Sequence, residues 1–488
     1  MTIRIYNTLT RKKEALQTLE PGHVKLYVCG ITSYDYCHIG HARSVLVFDM
    51  VVRYLRYRGW KVTFVRNFTD IDDKIIRRAE EQNIDAQELA ERFIHEFFLD
   101  MEALDITAPD LEPRATEHIA EMIELIDELV EQGLAYASDG DVYFRVNRFP
   151  EYGRLSGRSL EDMQAGARIQ VNHKKEHPMD FTLWKAAKPG EPKWSSPWGE
   201  GRPGWHIECS AMSRRYLGTT FDIHGGGKDL IFPHHENEIA QSCGVSGAAF
   251  ARYWMHHGFV TIADEKMSKS LGNFRTIREV LAAHEPEVLR LFIFSTQYRN
   301  PLDFTPAALQ DALTGLVRMY ECLAAVQQLQ PAGDDQPVFR ISVKDRTALE
   351  AVRDRFEQAM NNDFNTAQAI GHLFNALKVM NKQLQALNGQ AVEEDLQLLR
   401  KTAVLFVELG AVLGILQQDP EQVITARREA MLAEAGIDEG EILALIDERA
   451  AARARKDWAA SDAVRDRLLA MNIVLKDGPG GTTWEVAR

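Results

Sequence analysis

Two histidines, His38 and His41, lie three residues apart where a short apolar run gives way to a helical pattern. Residues at this spacing share one face of a helix, so both imidazoles can face the same ligand. Gly40 lets a ligand approach the backbone, and the first turn of a helix offers amide donors that suit an anion such as a phosphate of ATP. The same pair could simply cap the helix. The pattern therefore favours a phosphate site without establishing it.

A second group is the run Lys266-Met-Ser-Lys-Ser270, which is followed by Leu-Gly-Asn273. The glycine makes this a loop that can change conformation. Lys266 and Lys269 are point charges that suit a polyphosphate, because an ammonium group makes no directional demand. A basic loop of this kind is often simply solvated. Together with the histidine pair far upstream, the lysines favour a nucleotide site.

Four further side chains could bind a metal ion. His234 and Glu238 lie four residues apart, a spacing that places both on one helix face. Cys29 and Cys209 offer soft thiolate ligands. Two sulfurs, an imidazole and a carboxylate form a tetrahedral set that favours zinc over magnesium or calcium, which prefer oxygen throughout. The four residues are too far apart in the chain for a zinc ribbon, and spacing alone leaves a metal site undecided.

The histidine and lysine motifs together resemble the two signatures of the class I aminoacyl-tRNA synthetases. Within that class the sequence resembles the cysteinyl-tRNA synthetases, and the resemblance covers essentially the whole chain. It is carried by the runs Tyr27-Val-Cys-Gly-Ile-Thr-Ser-Tyr-Asp-Tyr-Cys-His-Ile-Gly-His41, Asn67-Phe-Thr-Asp-Ile-Asp-Asp-Lys74, Gly204-Trp-His-Ile-Glu-Cys209 and Phe232-Pro-His-His-Glu-Asn-Glu238. This resemblance implies an enzyme that uses ATP to convert L-cysteine into cysteinyl-adenylate and then transfers cysteine to the 3'-terminal adenosine of tRNA(Cys).

The resemblance also implies roles for individual residues. The positions that hold one zinc ion per chain in the family match Cys29, Cys209, His234 and Glu238. The catalytic positions match His38, His41, Lys266 and Lys269. The positions that contact ATP, which is bound with Mg²⁺, match these four and also Gly40 and Asp229. The positions that contact the amino acid match Gly30, Thr69 and Trp205.

Zinc would also solve a problem of selectivity. Serine and cysteine differ by one atom, and the shape of a pocket distinguishes such near-isosteres by only about 10–200-fold. A thiol loses its proton at zinc far more readily than a hydroxyl does, and the thiolate is a soft ligand. The resemblance therefore predicts selection by bond type, and no editing domain is expected.

Five more histidines crowd the same motifs: His206, His224, His235, His256 and His257. We interpret them as structural groups or as partners that orient other side chains, because metal and phosphate ligands need oriented support. The glycines at 225–227 lack the spacing of a P-loop, so we expect this backbone to lie close to adenosine or ribose.

An α/β core must position these residues. Residues 25–30 and 60–65 have the composition of short buried strands, and the helical pattern of residues 42–58 lies between them. This βαβ order predicts a Rossmann-like nucleotide-binding domain with the histidine pair at a strand-to-helix corner. A strand at 141–146 and a stretch rich in Gly, Pro and Trp then form an insertion, and the core resumes at Trp205.

The C-terminal half predicts an α-helical bundle followed by a small anticodon-binding module. A single charged helix at 448–469 carries Trp458, which could stack on an unpaired base while its arginines contact phosphate. Acidic neighbours neutralise much of this charge, so a solvated helix fits equally well. The run Arg455-Lys-Asp-Trp458 to Asp477 and the run Gly481-Thr-Thr-Trp484 resemble the anticodon-binding end of the cysteinyl-tRNA synthetases and favour RNA.

The chain is therefore predicted to contain six segments. They are the first half of the catalytic domain at 1–108, a connective insertion at 109–203, the second half at 204–255, a stem-contact region with the lysine loop at 256–310, a helical bundle at 311–425 and the anticodon-binding module at 426–488.

Composition limits the class of protein. A net charge of −14 argues against a general nucleic-acid binder, so any RNA contact must be local. Five scattered cysteines indicate reduced thiols rather than a disulfide framework. The N-terminus has no apolar leader, and no run approaches the roughly 18 uncharged residues that span a bilayer. We expect a cytoplasmic monomer without a membrane partner.

Two other functions compete with this prediction. A cysteine ligase of mycothiol-type synthesis would use the same adenylate but transfer cysteine to an amino sugar; the segment after about Ala426 argues against it. A non-catalytic RNA-binding paralogue would have no need of both intact motifs. A tRNA-charging assay tests the first alternative, and cysteine-dependent pyrophosphate exchange tests the second.

Overall fold

The computed structural model describes residues 2–161, 173–262, 265–266, 274–332, 340–387, 389–478 and 481–486. The chain divides into two compact units. The first unit comprises Met1–Leu313, Ser342–Val379 and Val404–Ile415, and the second comprises Thr314–Ile341, Met380–Ala403 and Leu416–Arg488. No helix in the described part of the chain combines the length and the apolar character needed to span a bilayer.

The strands, numbered along the chain, are β1 (Arg4–Asn7), β2 (Lys12–Ala15), β3 (His23–Val28), β4 (Lys61–Arg66), β5 (Ala135–Ser138), β6 (Asp141–Phe144), β7 (Phe181–Ala186), β8 (Gly201–Pro203), β9 (Phe221–Gly227), β10 (Ala251–His257), β11 (Val260–Ile262), β12 (Glu265–Lys266), β13 (Leu302–Asp303), β14 (Gln330–Pro331), β15 (Gln390–Ala391), β16 (Ile473–Gly478) and β17 (Gly481–Val486).

The helices are α1 (Ile39–Tyr57), α2 (Asp73–Gln82), α3 (Ala86–Ala103), α4 (Ile119–Glu131), α5 (Trp205–Leu217), α6 (Glu236–Ser246), α7 (Ile277–Leu281), α8 (Pro286–Phe294), α9 (Pro306–Gln328), α10 (Val343–Glu350), α11 (Val352–Asn361), α12 (Thr366–Leu387), α13 (Glu393–Leu413), α14 (Pro420–Ala435), α15 (Glu439–Ala454) and α16 (Trp458–Ala470). Beyond β13 the described chain is mostly helical, as the sequence predicts.

A four-stranded parallel sheet in the order β10–β9–β3–β4 forms the centre of the first unit. Strand β9 is buried along its whole length, as expected for a parallel sheet covered on both faces. From β3 the chain continues to β4 on one side, whereas from β9 it continues to β10 on the other. Such a switch point leaves a crevice at the carboxyl ends of the strands. The predicted Rossmann-like domain, split by an insertion, is confirmed.

The insertion between α3 and α5 contains α4 and an antiparallel sheet in the order β5–β6–β7–β8. The sequence indicated only the strand that became β6, because the others are short or rich in Gly and Pro. Gly201 in β8 lies against Trp184 in β7, where a Cβ atom would come within 2.3 Å of the indole nitrogen. Gly201 weakens the strand pattern in the sequence, yet the packing of β8 against Trp184 requires a glycine at this position.

Two buried arginines fix α1, the helix that carries the histidine pair. Arg290 of α8 lies 2.9 Å from Asp49 of α1, and the two side chains are at most 1% exposed. The same guanidinium donates to the Leu104 carbonyl oxygen. Nearer the start of α1, Arg43 donates to the carbonyl oxygens of Phe259 and Tyr298. Because these bonds are buried, α1 has one position relative to the sheet.

The end of the second unit is a small fold of α14, α15, α16 and the β16–β17 hairpin. Its core is formed by Leu432, Ile442, Leu445, Val464, Leu468 and Ile473. The prediction of a single charged helix at 448–469 is wrong. Helix α15 ends at Ala454, Lys456 has a φ of 59°, and the Asp457 side chain caps α16. A residue with positive φ interrupts the helix, and an N-cap starts the next one.

Replacing Arg290 with Met should lower the free energy of unfolding by about 3–5 kcal/mol, because it leaves the Asp49 carboxylate and the Leu104 carbonyl without a buried partner. Urea unfolding followed by tryptophan fluorescence measures this. Arg154→Met is the matched control, since Arg154 pairs with Glu151 on the surface and both are more than half exposed. This control should change stability by less than about 1 kcal/mol. Equal effects of the two variants would contradict the proposed anchoring of α1.

Candidate active site

A cavity of about 440 Å³ opens at the carboxyl edge of the parallel sheet, at the switch point between β3 and β9. Its lining includes residues from the ends of three strands and the start of α1: Cys29, Gly30, His38, His41, Gly227 and His257. The strand ends therefore bring most of the chemistry-bearing motifs of the sequence to one space.

His38 and His41 form the rim of this cavity where α1 begins. His38 is the N-cap, and its Nδ1 accepts from the backbone amides of Gly40 (3.0 Å) and His41 (3.4 Å). The Nδ1 of His41 accepts in turn from the amide of His38 at 3.3 Å. Since both Nδ1 atoms accept, a neutral ring carries its proton on Nε2 and is a donor there. Capping therefore fixes the proton position of both rings.

Close packing holds the two rings in this arrangement. They stack with centroids 3.8 Å apart and planes 12° apart. A Cβ atom on Gly40 would lie 2.8 Å from Cε1 of His38, so only glycine leaves the His38 ring in place. The two reasons for a histidine pair considered from the sequence, capping and ligand binding, are thus compatible, because different atoms of each ring serve them.

The lysine loop falls largely outside the described residues. Lys269 lies there, as does the side chain of Lys266, whose backbone pairs with Thr261 in β11. The chain resumes at Phe274, whose ring centroid is 6.5 Å from that of His38. The amide of Ile39 then donates to the Arg275 carbonyl oxygen at 3.0 Å. The backbone before the loop therefore pairs with β11, whose Val260 lines the cavity. The backbone after the loop lies beside the start of α1.

The four side chains singled out as metal ligands meet beside the cavity. Ligand atoms of Cys29, Cys209, His234 and Glu238 all lie within 4.8 Å of one another. The two sulfurs are 3.6 Å apart, and Nε2 of His234 is 3.0 Å from Oε1 of Glu238. Cys209, His234 and Glu238 are at most 1% exposed, whereas Cys29 lines the cavity. Cys29 follows β3, Cys209 lies in α5, His234 lies in the helical turn Ile231–His235, and Glu238 lies in α6. Only the tertiary fold can assemble this cluster.

A second set of four, in which His224 and His235 replace Cys209 and His234, also meets the distance requirement for a metal. Hydrogen bonds occupy both nitrogens of His235 and the Nε2 atom of His224. His224 Nε2 lies 2.8 Å from Glu238 Oε2, and His235 contacts Cys29 Sγ through Nε2 and His256 through Nδ1. These two histidines are therefore suited to orient the ligands of the first set.

Among the described residues, the buried Nε2 of His234 and the buried Nδ1 of His224 have no hydrogen-bond partner. The Nε2 of His234 faces the cluster, 3.0 Å from Oε1 of Glu238, whereas His224 faces Glu238 through its other nitrogen. The Nδ1 of His234 is 2.8 Å from Nδ1 of His206. A metal ion would satisfy an orphaned buried nitrogen of this kind, and the donor set fits zinc. The orientation of His234 thus favours the first set.

The cluster is rich in negative charge. Burial alone would raise the pKa of Glu238, but the opposite effect of His224 and His234 is larger and lowers this pKa to about 2. Burial likewise raises the pKa of Cys209, but a hydrogen bond from Cys29 and the charge of His234 bring it to about 6. Burial lowers the pKa of His234, but Glu238 and Cys209 raise it to about 10. A carboxylate and a thiolate beside one imidazolium form a buried site that attracts a cation.

The structure places three of the predicted ligand contacts in the cavity lining: Gly30, Trp205 and Asp229. A Cβ atom on Gly30 would lie 1.5 Å from the Asn67 carbonyl oxygen, so this position requires glycine. The Trp205 ring stacks on His234 at 4.1 Å. Thr69 is buried, its hydroxyl donates to Glu208 at 2.8 Å, and it is absent from the described cavity lining. Its contact with an amino acid stays a prediction.

Two features of the site were not anticipated. Arg43 is fully buried and donates to the carbonyl oxygen of Phe259. The sequence could have indicated this role only by the position of a charged residue within the apolar face of α1. Two of the three glycines of β9 pack closely against protein side chains, whereas Gly227 lines the cavity. A Cβ atom would lie 2.3 Å from Phe48 at Gly225 and 2.8 Å from His235 at Gly226.

Comparisons with known proteins agree along the chain. Residues 15–314 match the family model of the class I (C) tRNA synthetase catalytic domain. Residues 355–417 match the DALR domain, and residues 439–484 match the cysteinyl-tRNA ligase anticodon binding domain. The cysteine–tRNA ligase of Desulfotalea psychrophila is 62% identical over 488 residues, and that of Geobacter sulfurreducens is 53% identical over 486 residues. Both alignments cover 100% of each chain.

Solved structures show the same fold at low identity. The Mycobacterium tuberculosis methionyl-tRNA synthetase in complex with methionyl-adenylate has a TM-score of 0.61 and 17% identity, over 80% of this chain and 90% of that one. A putative arginyl-tRNA synthetase from Campylobacter jejuni has a TM-score of 0.57 and 13% identity, over 81% and 94% of the two chains. At these identities the likeness concerns the fold alone.

The two ligand sets predict different effects of mutation. Cys209→Ser removes a ligand of the first set and should abolish tight metal binding. His224→Gln removes only the partner that orients Glu238 and should weaken metal binding by about 10–100-fold. Competition with a chelator, followed by metal analysis of the purified chain, measures both. The matched control is His118→Gln, a buried histidine bonded to Arg114 and Tyr216 instead. The reverse order of effects would assign the metal to the second set.

Proposed function

The chain belongs to the family of cysteine–tRNA ligases, which are class I aminoacyl-tRNA synthetases, and from this premise we propose how its cavity joins cysteine to tRNA. L-cysteine and ATP would react there to give cysteinyl-adenylate, and the cysteinyl group would pass to the 3'-terminal adenosine of tRNA(Cys). One observation carries the proposal: a cysteine of the buried thiol, imidazole and carboxylate cluster lines the same cavity as the stacked histidines. A thiol-selective site and an anion site are thus adjacent.

The proposed metal is one zinc ion held by Cys29, Cys209, His234 and Glu238. Zinc, when bound, prefers a soft thiolate to a hydroxyl and so separates cysteine from serine. His224 holds one oxygen of Glu238, and His206 holds Nδ1 of His234, which leaves Oε1 and Nε2 for the ion. The buried negative charge of the cluster supports this assignment. Because Cys29 and Trp205 both line the cavity, the substrate side chain is proposed to lie between them.

In the first step the cysteine carboxylate attacks the α-phosphorus of ATP, and pyrophosphate leaves. No general base is required, because the carboxylate is already ionised at neutral pH. His38 and His41 donate from Nε2 to phosphate oxygens, a role that their fixed tautomers support. Lys266 and Lys269, with Mg²⁺ bound to ATP, would neutralise charge on the departing pyrophosphate. Catalysis is therefore positioning and charge stabilisation.

In the second step a ribose hydroxyl of the terminal adenosine attacks the carbonyl carbon of cysteinyl-adenylate, and AMP leaves. For recognition of the tRNA, Trp458 is suited to stack on an unpaired base, since it is 60% exposed and follows Arg455 and Lys456. Arg449 has another task, because it is buried and makes two hydrogen bonds of 2.7 and 2.8 Å to Asp477. It holds the module together.

The six segments predicted from the sequence, the monomeric state, the cytoplasmic location and the individual ligand contacts stay predictions. Of the two competing functions, a mycothiol-type cysteine ligase is disfavoured by the match of residues 439–484 to an anticodon binding domain. A non-catalytic paralogue is disfavoured by the geometry of His38 and His41, which fixes two donors at a cavity.

The proposed function is tested by cysteine-dependent exchange of labelled pyrophosphate into ATP, measured together with charging of tRNA(Cys) and with zinc analysis of the purified chain. We expect exchange with cysteine, at least a hundredfold less with serine, and one zinc ion per chain. Exchange without tRNA charging would support the amino-sugar ligase, and the absence of exchange would contradict an enzyme of this class.

Replacing Lys269 with Ala should slow adenylate formation by about 10²–10³-fold, since one cation that stabilises developing charge is lost. Cysteine binding should change little, because the ammonium group acts on pyrophosphate. Single-turnover formation of cysteinyl-adenylate measures the rate, and equilibrium dialysis with cysteine measures binding. Comparable losses in both would contradict the assigned role.

Replacing Gly40 with Ala should reduce pyrophosphate exchange at least tenfold, because the new methyl group displaces the His38 ring from its capping position. Gly371→Ala is the matched control. Gly371 also lies in a helix, but a Cβ atom there would meet nothing within 4 Å. This control should keep full exchange and gain slightly in stability, as Ala favours helix over Gly. Equal exchange by the two variants would show that the His38 position is unimportant.

A further inference from the structure

One end of the cavity combines apolar walls with a single buried imidazole. Val45 and Phe48 lie on the face of α1 that follows His41, and Val260 lies in β11. His257, the last residue of β10, lies between them and Gly227 at the end of the neighbouring strand. Its ring is 8% exposed and meets the edge of Phe48 with centroids 6.4 Å apart. An apolar pocket with one polar atom suits a flat heterocycle.

The hydrogen bond of His257 fixes which ring nitrogen is an acceptor. Nδ1 lies 3.0 Å from the Gly258 carbonyl oxygen. A carbonyl oxygen can only accept, so Nδ1 carries the proton. In the neutral ring Nε2 then has a lone pair and no hydrogen. A Cβ atom on Gly227 would lie 3.5 Å from Nε2, so this nitrogen is on the side of the ring that faces the strand end beside the cavity.

The surroundings keep this imidazole neutral. Burial lowers the pKa of His257 to about 4, and the Arg43 guanidinium and the Lys228 ammonium group act in the same direction against the Gly258 carbonyl and Asp229. Protonation would add a further positive charge next to two cations. At neutral pH, Nε2 of His257 is therefore a hydrogen-bond acceptor and not a donor.

The segment that carries His257 is rigid. Arg43 donates to the carbonyl oxygen of Phe259, two residues after His257, and to those of Tyr298 and Asn300 in the neighbouring segment. A Cβ atom on Gly258 would lie 2.3 Å from the Asn300 carbonyl oxygen, so the two chain segments pack without space for a side chain. An acceptor held in this way is preorganised, and a ligand donor gains its full hydrogen bond.

We propose that His257 selects adenine as the base of the nucleotide, with Nε2 accepting a hydrogen bond from the exocyclic 6-amino group. This inference rests on the proposed function, which places the phosphates of ATP at His38 and His41, and on the ATP contact that the family resemblance implies at Asp229. The base then lies at the remaining, apolar end of the cavity. A 6-oxo base such as guanine or hypoxanthine would place an oxygen lone pair against that of Nε2. The neutral histidine thus favours ATP over GTP by a matched donor and by repulsion of the alternative.

The test compares nucleotides that differ only in the group that His257 contacts. Cysteine-dependent pyrophosphate exchange is measured with ATP, with purine riboside triphosphate, which lacks the 6-amino group, and with 2'-deoxy-ATP. The wild-type chain should prefer ATP to purine riboside triphosphate by at least about tenfold in kcat/KM, because the analogue leaves a buried acceptor without a partner. Equal use of these two nucleotides by the wild type overturns the proposal without any variant.

Two variants locate the effect at His257. In His257→Leu the preference for the amino group should fall to within about twofold, since no acceptor remains. In His257→Gln the amide oxygen can still accept, so the preference should stay measurably above that of His257→Leu. His118→Gln is the matched control for loss of a buried histidine and should keep the wild-type ratio. A ratio that persists in His257→Leu, or a selective loss of preference for the 2'-hydroxyl, contradicts the assignment to the 6-amino group.

Equilibrium binding separates this inference from the proposed function. Calorimetric titration of the same variants with ATP and with purine riboside triphosphate needs no turnover. Preference for ATP that depends on His257, in a chain that does not exchange pyrophosphate, would overturn the proposed function and keep the inference. Cysteine-dependent exchange together with equal affinity for the two nucleotides would keep the proposed function and overturn the inference about His257.

Discussion

The parallel pairing of β3 with β9 is the constraint on which the site depends. These strands are separated by almost 200 residues, yet Leu26–Val28 lies in register with Ile223–Gly225, and the amide of Cys29 donates to the Gly225 carbonyl oxygen. The thiol of Cys29 at the end of β3 therefore lies close to His224 in β9. The chain leaves the two strands in opposite directions, which keeps the loops apart and leaves space for a ligand. A register shift of one residue would turn Cys29 away from Cys209 and empty the cluster.

The buried charges show how such a cluster can be stable. A thiolate at Cys209 and a carboxylate at Glu238 with no solvent around them are costly unless cations compensate them. His234 supplies one positive charge, and His224 contributes to the low pKa of Glu238. A divalent ion would replace a proton on His234 and complete the compensation. The interactions that stabilise these buried anions in the folded chain therefore also favour the binding of a cation. The surrounding histidines hold the ligand atoms in the orientation that such an ion needs.

Sequence motifs singled out the candidate metal ligands, which the fold brings together, but they did not reveal the residues that hold the site in place. His38 and His41 could be assigned to a strand-to-helix corner because their spacing and the βαβ pattern are local. Arg43 and Arg290 act through carbonyl groups of segments far away in the chain, for which no local pattern exists. Local periodicity cannot predict an interaction that only tertiary packing creates. The break at Lys456 has a different, local cause: helix-forming residues stand on both sides, and the positive φ of Lys456 with the Asp457 N-cap separates α15 from α16 without interrupting the helical pattern of the sequence.

Histidines have three different proposed roles in this site, and the hydrogen bonds around each ring distinguish those roles. The Nδ1 atoms of His38 and His41 are occupied by amides, so each ring can donate through Nε2. The Nδ1 of His257 is occupied by a carbonyl, so its Nε2 accepts. His234 is oriented by another imidazole and keeps Nε2 for a metal. In each case a bond to one nitrogen determines the chemistry of the other. The proposed contacts with phosphate, base and metal therefore depend on what bonds to Nδ1, which is a backbone amide, a carbonyl oxygen or another imidazole. A sequence that shows only the histidines cannot reveal that difference.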